Sequence, residues 1–190
     1  MSLPPARHPR LLAHAATALV VIDVQESYRQ VLPDYERVTA AIGRLVQGAV
    51  ALDIPVLATE QYPKGLGHTV AEVACHFPRA LAPIEKMSLS CCGTPAFREA
   101  LGRLGRRQIL VAGLETHACV NQTVHDLLAG GYQVHVPRDA TSSRRADDAA
   151  IGWAKMMAAG ALPASVESAL LELVRTAGTP AFKAIQRIIR

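Results

Sequence analysis

The sequence predicts an α/β fold, a single three-layer αβα domain around a mostly parallel sheet of about six strands. Three observations lead there. Short apolar runs alternate with longer stretches whose apolar residues recur at helical spacing, which is the pattern of βαβ units. The short runs are apolar on both faces, as strands covered from both sides are. Finally, half of the 190 residues are hydrophobic and 19% are charged, in a chain long enough for one well-buried core and short for two. Residues 1–190 are therefore read as one domain, with residues 1–16, rich in Pro, Arg and Ala, as a loosely docked N-terminal arm.

The elements follow in order. A first strand covers Ala18 to Asp23 and ends on a carboxylate. Asp34 is placed to cap a helix through Val38, Ile42, Leu45, Val46 and Val50, and Ile54-Pro55 marks its end near Asp53. IPVLAT is the second strand, followed by a loop, TEQYPKGLGHT, with the Pro and Gly of a turn-rich segment. Residues 70–82 form a short helix and turn, and PIEKMS a weaker third strand carrying Lys86. TPAFREALGRLGRR is an amphipathic helix, with Pro in its first turn and Phe97, Leu101 and Leu104 inward. It leads into a fourth strand, Ile109 to Ala112, bounded by Gly113.

Cys119 follows almost at once. The apolar positions Val120, Val124, Leu127 and Leu128 place it at the first turn of a helix that Gly130-Gly131 stops. YQVHVP is the fifth strand. RDATSSRRADD then starts a helix through Ile151, Trp153, Met156 and Met157, with Thr141, Ser142 or Ser143 as candidate caps. ALPASVES holds a short sixth strand before a helix with Leu170, Leu171, Leu173 and Val174. A last helix, TPAFKAIQRIIR, carries an apolar stripe that docks on this domain or on a second subunit.

Composition excludes several classes of function. The net charge of +4 is small, and no basic stripe is interleaved with the few aromatics, so no nucleic-acid partner is expected. No apolar run approaches the roughly twenty residues of a membrane span, and the first ten residues lack the apolar core of a secretory signal. No membrane partner and a cytoplasmic location are the resulting expectations. The four cysteines show neither a CxxC pair nor the spacing of a disulfide framework, so they are read as reduced thiols. Neither GxGxxG nor GxxxxGK[ST] occurs, and dinucleotide and P-loop readings have no local support.

Three chemistry-bearing residues lie at or just past predicted strand ends: Asp23, Lys86 and Cys119. In a parallel sheet that edge is where ligands bind. Each alone has an ordinary alternative: a turn-capping acid, a surface lysine, a small apolar core cysteine. Together, in order, they resemble a family. DVQ with Asp23, EKM with Lys86, and GLETHACV from Gly113 to Val120 look like the three signatures of the isochorismatase-like cysteine hydrolases. TEQYPKGLG, SCC, HDLLAGGYQV, DATSSR and SVESALLELV extend the resemblance over nearly the whole chain, closest to a poorly characterised hydrolase subgroup.

The resemblance implies a Rossmann-like sheet and a Cys-Asp-Lys triad acting on a small amide-like C–N bond. Cys119 would be the nucleophile, shifted toward thiolate by Lys86 and the helix N-terminus, with Asp23 as acid and base. It also implies an oxyanion held by the backbone N–H groups of Glu115 and Cys119, and a cis peptide at Leu114-Glu115. Gln25, Tyr28, Gln61, Tyr62 and Thr116, with His117, would finish the pocket. Relatives that act on nicotinamide carry an Asp-x-His metal cluster after the second strand; only His68 is present here, so no metal and no organic cofactor is expected. Isochorismatases proper cleave a vinyl ether and lack the cysteine. The aromatic expected after EKM is Leu89 here, and Cys91 and Cys92 are read as core thiols. The partners expected are a small-molecule substrate and further copies of the chain, as a homo-oligomer. The competing functions are thiol redox chemistry pairing Cys119 with Cys91 or Cys92, which lacks a CxxC, and a binding module that keeps the fold without catalysis.

Overall fold

A computed structural model of the chain describes residues 7–190. One sheet contains β1 (Thr17–Ile22), β2 (Val56–Gln61), β3 (Ile84–Lys86), β4 (Gln108–Leu114), β5 (Gln133–Pro137), β6 (Thr141–Ser142) and β7 (Leu162–Ala164). All their pairings are parallel, in the order β3-β2-β1-β4-β5-β7, with the two-residue β6 beside β4. The chain therefore runs outward from β1 in one direction, returns, and runs outward from β4 in the other. The switch point lies between β1 and β4, where the crevice of such a sheet opens at the carboxyl ends.

β1 shows how the layers are built. Leu19 and Val21 point into one core with α1 (Tyr35–Ala51), α7 (Val166–Val174) and α8 (Pro180–Ile189). Ala18, Val20 and Ile22 point into the other, with α4 (Pro95–Leu104), α5 (Asn121–Ala129) and α6 (Ala146–Ala158). A period of two on a strand buried on both faces leaves little place for a polar side chain, which is why ALVVI, after Thr17, reads as a continuous apolar run. Each large aliphatic side chain so buried contributes about 1.5–3 kcal/mol. Two one-turn helices, α2 (Pro63–Leu66) and α3 (Ala71–Ala74), sit in the connection after β2.

Several expectations change. The described part of the arm is held: Leu12 is fully buried, its N–H donates to Glu172 Oε2 at 2.8 Å, and the Ala13 N–H donates to Gln108 Oε1 at 2.7 Å. Residues 1–6 of that arm lie outside the described residues. β1 stops at Ile22, because Asp23 turns to a φ of +52°. Asp34 sits at the α1 N-cap position without capping it, its carboxylate being engaged by Ser142 Oγ and Arg37. Thr141 and Ser142 form β6 instead of capping α6, whose N-cap position is Arg145. The apolar stripe of α8 docks within the chain, with Ile185 fully buried and Ile188 and Ile189 against the same core.

Candidate active site

The carboxyl ends of β1 and β4 come unusually close. Gly113 lies opposite Ile22, and a Cβ on it would stand 2.0 Å from the Ile22 carbonyl oxygen. Only glycine fits there, at a φ of +130°. This glycine belongs to β4 and does not merely bound it. Beyond it, the Leu114-Glu115 peptide is cis, and Thr116–Val120 form a π-helical turn that continues into α5. Cys119 thus sits in that turn, before α5 begins. The turn is backed by α6, which approaches through Gly152.

Asp23, Lys86 and Cys119 meet at this point. Lys86 ends β3 opposite Gln61 of β2, and its side chain reaches inward with no exposure. Its Nζ lies 2.7 Å from Asp23 Oδ2, an ion pair in which both side chains are inaccessible. Asp23 Oδ1 accepts a hydrogen bond from Thr59 Oγ1 at 2.7 Å. Nζ also donates to Gln61 Oε1 at 2.7 Å, Leu89 O at 3.0 Å and Ser88 O at 3.2 Å. A buried ion pair is costly unless its other valences are satisfied, and these bonds satisfy the ammonium and Asp23 Oδ1, with Oδ2 left to the ion pair alone. Cys119, 5% exposed, lies near enough to Asp23 and Lys86 for both to shift its thiol, and its Sγ is 4.0 Å from Gln61 Oε1.

The charge state differs from the expectation. Burial first, and then the Asp23 carboxylate, push the Cys119 thiol up to about 12, against the opposing pull of Lys86. Lys86 is an ammonium: burial alone would lower its pKa, but Asp23 more than offsets that and holds it above its ordinary value. Burial and Asp23 thus work against a thiolate at Cys119, and Lys86 works for one. The ammonium's charge is already matched by Asp23, so little of it is left for sulfur.

The other expected residues divide into two groups. The Tyr28 hydroxyl shares this centre: its pKa is raised by burial, then by Glu115, Cys119 and Asp23. Gln61 holds Lys86, and Thr116 is fully buried with its hydroxyl unpartnered. Tyr62 is at the rim, 48% exposed and at a φ of +38°, bordering a cavity of about 360 Å³ with Pro63, Lys64, Glu85 and Met87. Gln25, by contrast, has no group free for a ligand. Its amide donates to Gln61 O at 3.0 Å and Gly67 O at 2.6 Å and accepts from Gln61 N at 2.8 Å, so it braces the loop after β2.

Glu115 turns its carboxylate to Arg144, which donates through its backbone N and Nε at 3.0 Å and Nη2 at 3.2 Å. Burial alone would raise that carboxyl; these bonds hold it below its usual range. His117 Nδ1 faces Ser143 Oγ at 3.0 Å. Cys91 is a core thiol, fully buried and pushed up to about 11 by burial and then by Asp23, with Sγ 3.6 Å from Thr59 Oγ1; Cys92 is half-buried. Thr59 is the functional neighbour the sequence reading missed; its signal was its place two residues before Gln61, on the same face of β2. Among the described residues, no group of three His, Cys, Asp or Glu is placed to hold a metal ion, and His68 is engaged by Glu60.

Fold and site define a parallel α/β protein whose polar centre lies at the switch point. The isochorismatase domain matches residues 17–168, and the chain belongs to that family of isochorismatase-like hydrolases. Isochorismatase domain-containing protein 2A of Mus musculus is 40% identical over 92% of this chain and 83% of its own length. Isochorismatase domain-containing protein 1 of Salmo salar is 40% identical over 94% of this chain, which spans only 62% of that relative. The structure of MAR1 ribonuclease from Caenorhabditis elegans superposes with a TM-score of 0.90 at 35% identity, covering 94% of this chain and 92% of that one.

Proposed function

We propose that the chain hydrolyses a small amide-like C–N bond through a thioester on Cys119. The observation that carries this reading is the convergence of a thiol, a carboxylate and an ammonium, all buried, from the ends of three different strands. Sulfur attacks the amide carbon as Asp23 takes the thiol proton. The oxyanion is received by the Glu115 and Cys119 N–H groups, each worth roughly 3 kcal/mol in such a role. Asp23 then gives its proton to the departing amine, and the C–N bond breaks. Water, deprotonated by Asp23, attacks the thioester; sulfur leaves, regains the proton, and the carboxylic acid departs. Lys86 holds Asp23 and offsets the charge that gathers on sulfur during attack. Tyr28, Tyr62 and Thr116 line the substrate's place, while Gln25 and Gln61 support the site from behind.

The proposal takes the chain as one domain, cytoplasmic, working without cofactor and as a homo-oligomer. Cysteine chemistry favours it over vinyl-ether cleavage. The ribonuclease name of the nematode structure raises a second reading, RNA cleavage. Full burial of the Asp23 and Lys86 side chains and the 5% exposure of Cys119 suit a small substrate better than a polymer. The test is a panel of small amides and an RNA, with amine release and RNA breakdown measured for the wild type, Cys119→Ala and Asp23→Asn. Amide hydrolysis lost in both folded variants supports the reading. Hydrolysis retained in either, or RNA breakdown alone, overturns it.

A further inference from the structure

The Lys86 ammonium has three N–H groups, and three hydrogen bonds of good geometry run to oxygens other than the carboxylate it pairs with. They go to Gln61 Oε1, Leu89 O and Ser88 O. Asp23 Oδ2 stands 2.7 Å from Nζ, yet receives no aligned hydrogen bond. Two of the three acceptors are backbone carbonyls of the segment just after β3. The third is a side chain from β2.

Gln61 is itself held firmly. Both its backbone N–H and its carbonyl are clamped by the buried amide of Gln25. Its Nε2 donates to Met87 O at 3.0 Å, which fixes which end of the amide faces Lys86. The same Oε1 lies 4.0 Å from Cys119 Sγ. A single oxygen is therefore shared by the ammonium, which donates to it, and the thiol, which lies within reach of it.

We infer that Gln61 is a positioning residue: by drawing one Lys86 N–H onto its own oxygen, it leaves Asp23 Oδ2 free as the base that receives the Cys119 proton. This deepens the proposed hydrolase reading and rests on it only for the turnover part. If the Gln61 oxygen is removed, the freed N–H turns to Asp23 or Cys119. Either contact stabilises the thiolate, and the first also makes Asp23 a poorer base. A carboxylate at position 61 does the reverse and adds a second negative charge beside sulfur. The titratable groups facing Cys119 are Asp23, Lys86 and Tyr28, with Cys91 behind Asp23.

The test is iodoacetamide alkylation of Cys119, followed against pH by peptide mass so that the exposed Cys75 is counted separately. Wild type, Gln61→Met and Gln61→Glu are compared, with Gln61→Asn as a shorter amide and thermal melts as a folding check. Gln61→Met is expected to alkylate about tenfold faster at pH 8, because its thiolate is about tenfold more populated there. Gln61→Glu is expected to alkylate more slowly, and Gln61→Asn to resemble Gln61→Met. On any amide the wild type hydrolyses, Gln61→Met lowers kcat with little change in KM. Alkylation profiles that coincide for wild type and the folded variants overturn the inference while leaving the hydrolase reading standing. Shifted profiles in a protein that hydrolyses no amide support Gln61 and overturn the hydrolase reading instead.

Discussion

Gly152 of α6 rests directly on the backbone of His117, two residues before Cys119. A Cβ on Gly152 would stand 2.6 Å from His117 Cα and 2.9 Å from its N. The turn that carries Cys119 is thus fixed from behind by a helix, and only a hydrogen atom fits between them. Gly152→Ala is expected to cost roughly 1–3 kcal/mol of stability as an overpacked contact. Displacing the turn is expected to cut turnover by about tenfold or more. Gly102 in α4 meets nothing within 4 Å, so Gly102→Ala is expected to gain about 0.5–1 kcal/mol and keep full activity. Thermal melts and initial rates of the two variants check the contrast.

Thr59 orients Asp23 through the 2.7 Å bond to Oδ1 and lies too deep, at 1% exposure, to touch a substrate. Thr59→Val keeps the shape and removes the donor. A hydrogen bond to a charged group is worth roughly 1.5–3 kcal/mol, so kcat is expected to fall about ten- to a hundredfold. KM should stay near the wild-type value. Steady-state kinetics separate this from a binding role, which would raise KM.

Stability should fall in mild acid through His135. This β5 side chain is 3% exposed, its only side-chain hydrogen bond among the described residues being to Gln133 Nε2 at 2.7 Å, and burial lowers its pKa to about 4. The folded state therefore keeps it neutral, whereas the unfolded chain protonates it near pH 6.5. The contribution is complete above about pH 6.5 and is lost as pH falls toward 4, amounting to about 1–3 kcal/mol. Melting temperatures measured from pH 7 to pH 4.5 should drop less for His135→Gln than for the wild type.

The centre of the sheet was legible because β1 and β4 are buried on both faces, and such a strand reads as an unbroken apolar run. The part-exposed edge strands β3 and β7 give a weaker signal, yet all six expected strands are present. β6 was not legible, since two residues carry no period and Thr-Ser at a helix entrance reads as a cap. Among the candidate site residues, Asp23 and Cys119 stood out by position, just past apolar runs, whereas Lys86, in a weak strand, was singled out only through the resemblance that groups the three. What their company does to them was not legible. Burial and then Asp23 raise the thiol against the pull of Lys86, and these effects depend on distances between strands far apart in sequence. Gln25 reads as a pocket residue for a similar reason: its amide is consumed by the backbone at Gln61 and Gly67, partners that only the folded loop brings near.

The central claim is that Asp23 takes the Cys119 proton during attack, and Asp23→Asn tests it most directly. Both amide hydrolysis and the pH dependence of Cys119 alkylation are measured on the same preparation. Removing the carboxylate leaves burial but removes the charge that also raises the thiol, and it leaves Lys86 unmatched near sulfur. The predicted result is a divergence: hydrolysis is lost, while Cys119 alkylates faster and at lower pH than in the wild type. Hydrolysis that survives the substitution, or alkylation no faster than in the wild type, would contradict the account.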